Sequence, residues 1–185
     1  MIFDEKHWIK ICENVSNKCF LIFPHIKSKK LKSEIVSNLF ETQSEEYFKR
    51  IGINARSAQS DKEVDLIFPD NNIICEIKVT GVDNTIVQKC GWMGGKYSKR
   101  TSDYIFVMWK YNEKTKNLYS EEESESMSFF VVKAYVNEDE WSAFDKNRGT
   151  FYGTTIKSSV IMKKEYTELV GKYKESRFLL EKFYG

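Results

Sequence analysis

The residues best suited to chemistry fall between positions 64 and 80. Asp65 lies near the start of one apolar run, residues 64–68, and Glu76 and Lys78 interrupt a second, residues 73–80. Residues two apart in a strand project to one face. Glu76 and Lys78 therefore share a face with Ile74 and Thr80, while Cys75, Ile77 and Val79 take the other. Pro69, Asp70, Asn71 and Asn72 have the composition of a turn. Joined by it, the two runs make an antiparallel hairpin that brings Asp65 to the edge holding Glu76 and Lys78. Two carboxylates so placed repel, and burial among Ile73, Ile74, Ile77 and Val79 disfavours their charges. A divalent cation resolves the conflict. Mg²⁺ takes oxygen ligands, often one or two carboxylates, and keeps waters and phosphate oxygens; Mn²⁺ accepts the same donors. Asp65, Glu76 and the backbone carbonyl of Ile77 are the expected metal ligands. Such a cation acidifies water and stabilises charge on phosphorus. Lys78 could orient the water, deprotonate it, or stabilise the developing negative charge, and the sequence leaves these roles open.

Other elements must hold this hairpin in place. Leu31, Ile35, Leu39, Phe40, Tyr47, Phe48 and Ile51 recur at three- and four-residue steps, which predicts an amphipathic helix over residues 31–51. Gly52 sits where a left-handed cap would end it. A shorter helix is expected around Trp8, Ile9, Ile11 and Val15, followed by an apolar connector at residues 19–23. Residues 53–58 make a weak strand. Residues 83–97 begin as a helix, broken by Gly91, Gly94 and Gly95. Strands are expected at 104–109 and 129–136, with an acidic surface loop over 113–127 between them. Asn137 is placed to cap a short helix over 138–144. Residues 147–159 suit a strand or hairpin, and the spacing at 162–183 predicts a final helix. The expected fold is mixed α/β (α+β), a central mixed sheet flanked by helices. It forms one domain over 1–185, with a core at about 31–136 and an extension over 137–185.

A Glu-x-Lys triplet alone is common in strands, where it serves as an ion pair. Here the order Asp, turn, Glu-x-Lys interrupts apolar strands within an α-β-β-β-α-β succession. Val64-Asp65-Leu66-Ile67 and Cys75-Glu76-Ile77-Lys78-Val79 resemble the PD-(D/E)xK nuclease motif, over residues 31–110. A valine stands where many members have proline. The resemblance implies a restriction-endonuclease-like core and Mg²⁺-dependent cleavage of DNA phosphodiester bonds, one strand per site, leaving 5′-phosphate ends. It implies metal-ligand roles for Asp65 and Glu76 and a catalytic role for Lys78. Many members carry a further glutamate on the preceding helix; of Glu34, Glu41, Glu45 and Glu46, Glu41 is the expected one. Gln88 matches a glutamine that some members place in the following helix.

Lys96, Tyr97, Ser98, Lys99 and Arg100 follow a double glycine, and their cations suit phosphate contacts. Lys27, Lys29, Lys30 and Lys32 make a second basic cluster. Trp92 could stack on a base, but a core position suits it better. The net charge is only +2, so partners are read from clusters rather than the sum. The two histidines offer no pairing for a His-based site, and no dinucleotide or phosphate-loop pattern occurs. The four cysteines lack metal spacing and suit a reducing compartment. No signal-peptide pattern or apolar span is evident, so the expected location is the cytoplasm. Double-stranded DNA is the expected partner. The chain resembles either a homodimeric restriction endonuclease or the small cleavage subunit of a heterodimeric type IIS (nicking-type) enzyme, which relies on a larger recognition subunit. A repair or junction-resolving nuclease of the same fold is the alternative within the enzyme class. A non-catalytic nucleic-acid- or partner-binding module is the alternative outside it.

Overall fold

The computed structural model describes residues 1–60, 63–82, 91–94, 101–112, 126–143 and 154–174. Two long helices come first. Helix α1, Glu5–Ile22, starts at Asp4, whose side chain accepts from the Lys6 N–H. It buries Trp8, Ile11, Cys12, Val15 and Cys19, a stripe at helical spacing. The run at 19–22, expected as a connector, instead completes this helix, because Cys19 belongs to the same stripe. Helix α2, Lys29–Arg50, is capped by the Ser28 hydroxyl. It buries Val36, Phe40 and Phe48, with Gln43 and Ser44 between them. Leu31 and Ile51, expected on that stripe, are largely exposed. Gly52 follows at φ 81°.

The strands form two sheets. The larger has six strands in the order β1-β2-β3-β5-β6-β9. These are β1 (Arg56–Ser57), β2 (Leu66–Phe68), β3 (Ile73–Gly81), β5 (Ser102–Asn112), β6 (Ser126–Val136) and β9 (Glu168–Tyr173). Strands β3 and β5 pair in parallel and all other neighbours antiparallel, so the sheet is mixed. The smaller sheet runs β4-β8-β7, from β4 (Gly91–Gly94), β8 (Thr154–Lys157) and β7 (Ser142–Ala143). A five-residue helix α3, Ser158–Met162, follows β8.

Alternation along β5 and β6 divides the core between the two faces of the large sheet. Cys75, Ile77, Ile105, Val107, Phe129 and Val131 pack with α1 and α2. Tyr104, Phe106, Phe130 and Val132 pack with Trp92, Trp141, Ile156 and Ile161 on the side of the small sheet. Both faces are covered, which is why β5 and β6 read as almost unbroken apolar runs. Among the described residues, no helix is long and apolar enough to cross a membrane.

Several expected elements differ. The strand at 53–58 shrinks to β1. The helix expected over 83–97 is replaced at Gly91–Gly94 by β4; residues 83–90 and 95–100 lie outside the described set. Gly91 permits this pairing, because a Cβ there would stand 2.8 Å from the Ile156 carbonyl oxygen. Trp92 is buried, donates to the Val107 carbonyl at 3.0 Å and packs on Phe106. It belongs to the core.

The helix expected over 138–144 is a single 3-10 turn, Glu138–Glu140. Asn137 and Glu140 cap it reciprocally, and burial of Trp141 then pulls the chain into β7. The helix expected over 162–183 is contradicted where the chain is described. The segment holds the end of α3 and then β9, and residues 175–185 lie outside the description. Val170 and Tyr173 favour a strand and Gly171 disfavours a helix, and the free edge of β6 supplies the pairing. Gly171 also lets α1 close in: a Cβ there would lie 3.1 Å from that of Trp8. The acidic run is likewise outside the description at 113–125, while residues 126 and 127 belong to β6.

Candidate active site

The site begins where strand pairing stops. Strands β2 and β3 pair at Phe68–Ile73, Ile67–Ile74 and Leu66–Cys75, and no further. Asp65 stands one residue outside β2. Its main-chain carbonyl accepts from the Ala58 N–H, 3.2 Å away. Its side chain turns across to β3 and accepts from the Ile77 N–H at 2.7 Å. A carboxylate thus takes the place that the next strand residue would have filled. From here to Gly81, no described strand pairs with this edge of β3.

Glu76 and Lys78 project from the opposite face to Cys75 and Ile77, as alternation requires. Their partners across the parallel pairing, Tyr104 and Phe106, belong to the core on the small-sheet side. The Lys78 Nζ stands 3.4 Å from a Glu76 carboxylate oxygen and 3.8 Å from Asp65 Oδ2. Glu76 is almost fully buried, at 2% exposure. That burial is the main cause pushing its carboxyl up to about 7; Lys78 counters it, and the Asp65 carboxylate beside it adds to it.

Helix α2 brings in a third carboxylate. Glu41 is half-buried, and its carboxyl is also pushed up to about 7. Burial is again the first cause, followed by repulsion from Asp65, with Lys78 opposing. Glu41 therefore feels Asp65 and Lys78 of the hairpin site from the helix layer. The other glutamates of α2 are engaged elsewhere. Glu34 makes an exposed pair with Lys30 at 3.8 Å, and Glu46 accepts from Gln43 at 2.7 Å. Glu45 accepts from the Ser57 N–H at 2.7 Å, from the Ser57 hydroxyl and from Lys49. Lys49 first and Ser57 second hold its carboxyl down to about 2. This contact fastens α2 to β1 and so to the strand beside the site.

The sequence does not disclose two supports. One is the Ile77 N–H, whose role depends on where pairing ends. The other is a bidentate pair between Arg56 and Glu63, at 3.0 and 2.9 Å, with the Gln59 N–H donating to the same glutamate at 2.8 Å. It braces the connection that delivers Asp65. Oppositely charged residues flanking a connection would be the only sequence signal, and it is weak.

Asp65, Glu76 and Lys78 thus come together, and Glu41 lies near enough to feel the charges of Asp65 and Lys78. Gln88, Lys96, Tyr97, Ser98, Lys99 and Arg100 lie outside the described residues. Among the described residues, no three or more His, Cys, Asp or Glu side chains converge as a ready metal cage. The two carboxylates of the hairpin, Asp65 and Glu76, both lie close to the Lys78 Nζ, at 3.8 and 3.4 Å. The Ile77 carbonyl lies at the same edge, since an extended residue turns its N–H and C=O to one side. Such a sparse oxygen set suits a hard cation that keeps several waters, and the excess of acids over the one lysine favours one electrostatically. Neither a protein-family model nor a curated protein matches the chain.

Proposed function

We propose that the chain is a Mg²⁺-dependent DNA endonuclease, either a type II restriction endonuclease or its cleavage subunit. The observation that carries this reading is the pair of carboxylates with Lys78 at the unpaired edge of β3, overlooked by Glu41. A structural ion pair needs one acid and one base. Here two acids meet one lysine, a third acid lies near enough to feel them, and burial pushes the carboxyls of Glu76 and Glu41 up.

Asp65 and Glu76 are the side chains to hold the cation, with Mn²⁺ as a substitute, and the Ile77 carbonyl is a main-chain donor at the same edge. Mg²⁺ bound there supplies an acidified water and neutralises charge on the phosphodiester. The Ile77 N–H fixes the Asp65 carboxylate in position. Lys78, between the two carboxylates, is placed to orient a water and to offset negative charge as the phosphorus–oxygen bond breaks. Glu41, which feels Asp65 and Lys78 from the helix side, would accept a hydrogen bond from a water there. Cleavage at one site severs one strand, so a double-strand break needs a second site from another copy or a larger recognition subunit.

The assay is nicking of supercoiled plasmid in Mg²⁺ by the wild type, Asp65→Ala and Lys78→Ala. Cutting by the wild type and loss in both variants supports the reading; equal cutting by all three rejects it. A nuclease of the same fold acting in repair or at junctions would cut branched or damaged DNA in preference to plasmid. A purely binding module would retain DNA without cutting it under any metal.

A further inference from the structure

The basic cluster at residues 27–32 takes no part in the site, yet the fold gives it a defined place. Lys27, Lys29 and Lys30 are exposed at the corner where α1 gives way to α2. Lys32 is held nearby over two rings, its Nζ 5.3 Å from the centre of Phe23 and 5.3 Å from that of Tyr111. Lys174, just past β9, stands over Phe20 at 5.9 Å and Tyr173 at 5.5 Å. The Phe20 and Tyr111 rings lie 6.5 Å apart, so Lys32 and Lys174 border one aromatic patch. Such stacking fixes the position of a cation that would otherwise sample many rotamers. Glu34 meets the cluster, in its exposed pair with Lys30.

The corner connects to the site. Ser33 Oγ lies 3.3 Å from where a Cβ of Gly81 would stand, at the end of β3. From Gly81 the unpaired edge of β3 leads back through Val79 to Ile77 and Asp65. Along α2, Lys30 and Glu41 lie on the same stripe, about three turns or ~16 Å apart. A DNA strand places a phosphate every ~3.4 Å along its axis, so this distance spans about five nucleotides.

We propose that Lys27, Lys29, Lys30 and Lys32 form a ledge for the phosphate backbone of duplex DNA, holding the duplex while the carboxylate site acts. The choice of DNA as the partner rests on the nuclease reading; the lysines themselves fit any polyanion. Clustered ammonium groups within a screening length of ~10 Å repel one another, and a row of phosphates removes that repulsion. Such contacts position a duplex without reading its sequence.

The test measures binding of a fluorescein-labelled duplex in EDTA, by anisotropy, between about 0.05 and 0.2 M NaCl. The wild type is compared with Lys27→Gln/Lys29→Gln/Lys30→Gln and with the matching triple arginine variant. All three positions are exposed, so circular dichroism should show equal folding. Each lysine on a phosphate contributes a slope of about −0.9 in log K against log salt. The glutamine variant should flatten the slope by about 2 to 3 and bind on the order of a hundredfold more weakly at 0.1 M salt, for all duplex sequences alike, while the arginine variant keeps the wild-type slope. Equal slopes and affinities for wild type and glutamine variant, or no binding by the wild type at the lowest salt, would overturn the ledge. Lys78-dependent cutting with unchanged salt slopes rejects the ledge and leaves the nuclease reading standing. A flattened slope in a protein that never cuts DNA does the reverse.

Discussion

The Asp65 carboxylate accepts the Ile77 N–H at 2.7 Å, at the point where β2 and β3 cease to pair. One aspartate is both a strand-end cap and, on the proposed function, a metal ligand. The two duties separate by substitution. Asp65→Asn keeps an oxygen acceptor but loses the charge, and should reduce cutting at least about a hundredfold while leaving stability near that of the wild type. Asp65→Ala should lose the cutting and about 1–3 kcal/mol of stability as well, since the Ile77 N–H is left without its charged acceptor. Urea denaturation beside plasmid nicking makes the comparison. Equal stability of the alanine and asparagine variants would remove the capping role.

The two raised carboxyls set a pH dependence. Glu41 and Glu76 both lie at about 7, above the ordinary 4.5. The folded protein therefore binds these protons more tightly than the unfolded chain. The stability they contribute is complete below about 4.5 and is lost as the pH rises through 7. In EDTA the melting temperature should fall between pH 5.5 and 8, and Glu76→Gln should flatten that fall. Mg²⁺, which favours the ionised carboxylates, should raise the melting temperature more at pH 8 than at pH 5.5. A Mg²⁺ effect independent of pH would separate the metal from these two glutamates.

The glutamates of α2 should divide by role. Glu45→Ala removes the acceptor for Ser57 and should cost on the order of 1–3 kcal/mol. Glu34→Ala removes an exposed pair with Lys30 and should change stability by less than about 0.5 kcal/mol. Glu41→Gln should leave stability unchanged or raise it in the absence of metal, yet slow cutting by about tenfold or more. Denaturation and nicking on the same three preparations would reveal any exchange of roles.

Trp92 offers a contrast between core and recognition. It is buried at 1% exposure, with its indole N–H on the Val107 carbonyl. Trp92→Ala should cost about 3–5 kcal/mol. A variant that melts like the wild type but binds DNA weakly would place this residue at a DNA interface instead.

The arrangement of Asp65, Glu76 and Lys78 was legible in the sequence because its signal is local. Charges in apolar strands stand out, and period-two alternation correctly puts Glu76 and Lys78 on one face. The amphipathic helix before the hairpin was legible for the same reason, and on it Glu41 feels the charges of both Asp65 and Lys78. What was not legible depends on tertiary pairing. Gly91–Gly94 reads as a helix breaker until β8 is present to pair with it. The aromatic spacing after residue 162 fits a helix as well as a strand, and the open edge of β6 decides between them. The length of β2 was equally hidden, since apolar residues at 64–68 do not say which of them finds a partner.

That shortness has a consequence for how the protein loses activity. Strand β2 holds to β3 through only the pairs from Leu66 to Phe68, whereas β5 and β6 pair from Ser102 to Asn112. The hairpin end bearing Asp65 can therefore open while the β5–β6 centre remains closed. In hydrogen exchange the Ile77 amide should lose protection long before the amides of Val107 and Val131. Its exchange rate would then report the fraction of molecules with an assembled site, a quantity that melting of the whole chain does not measure.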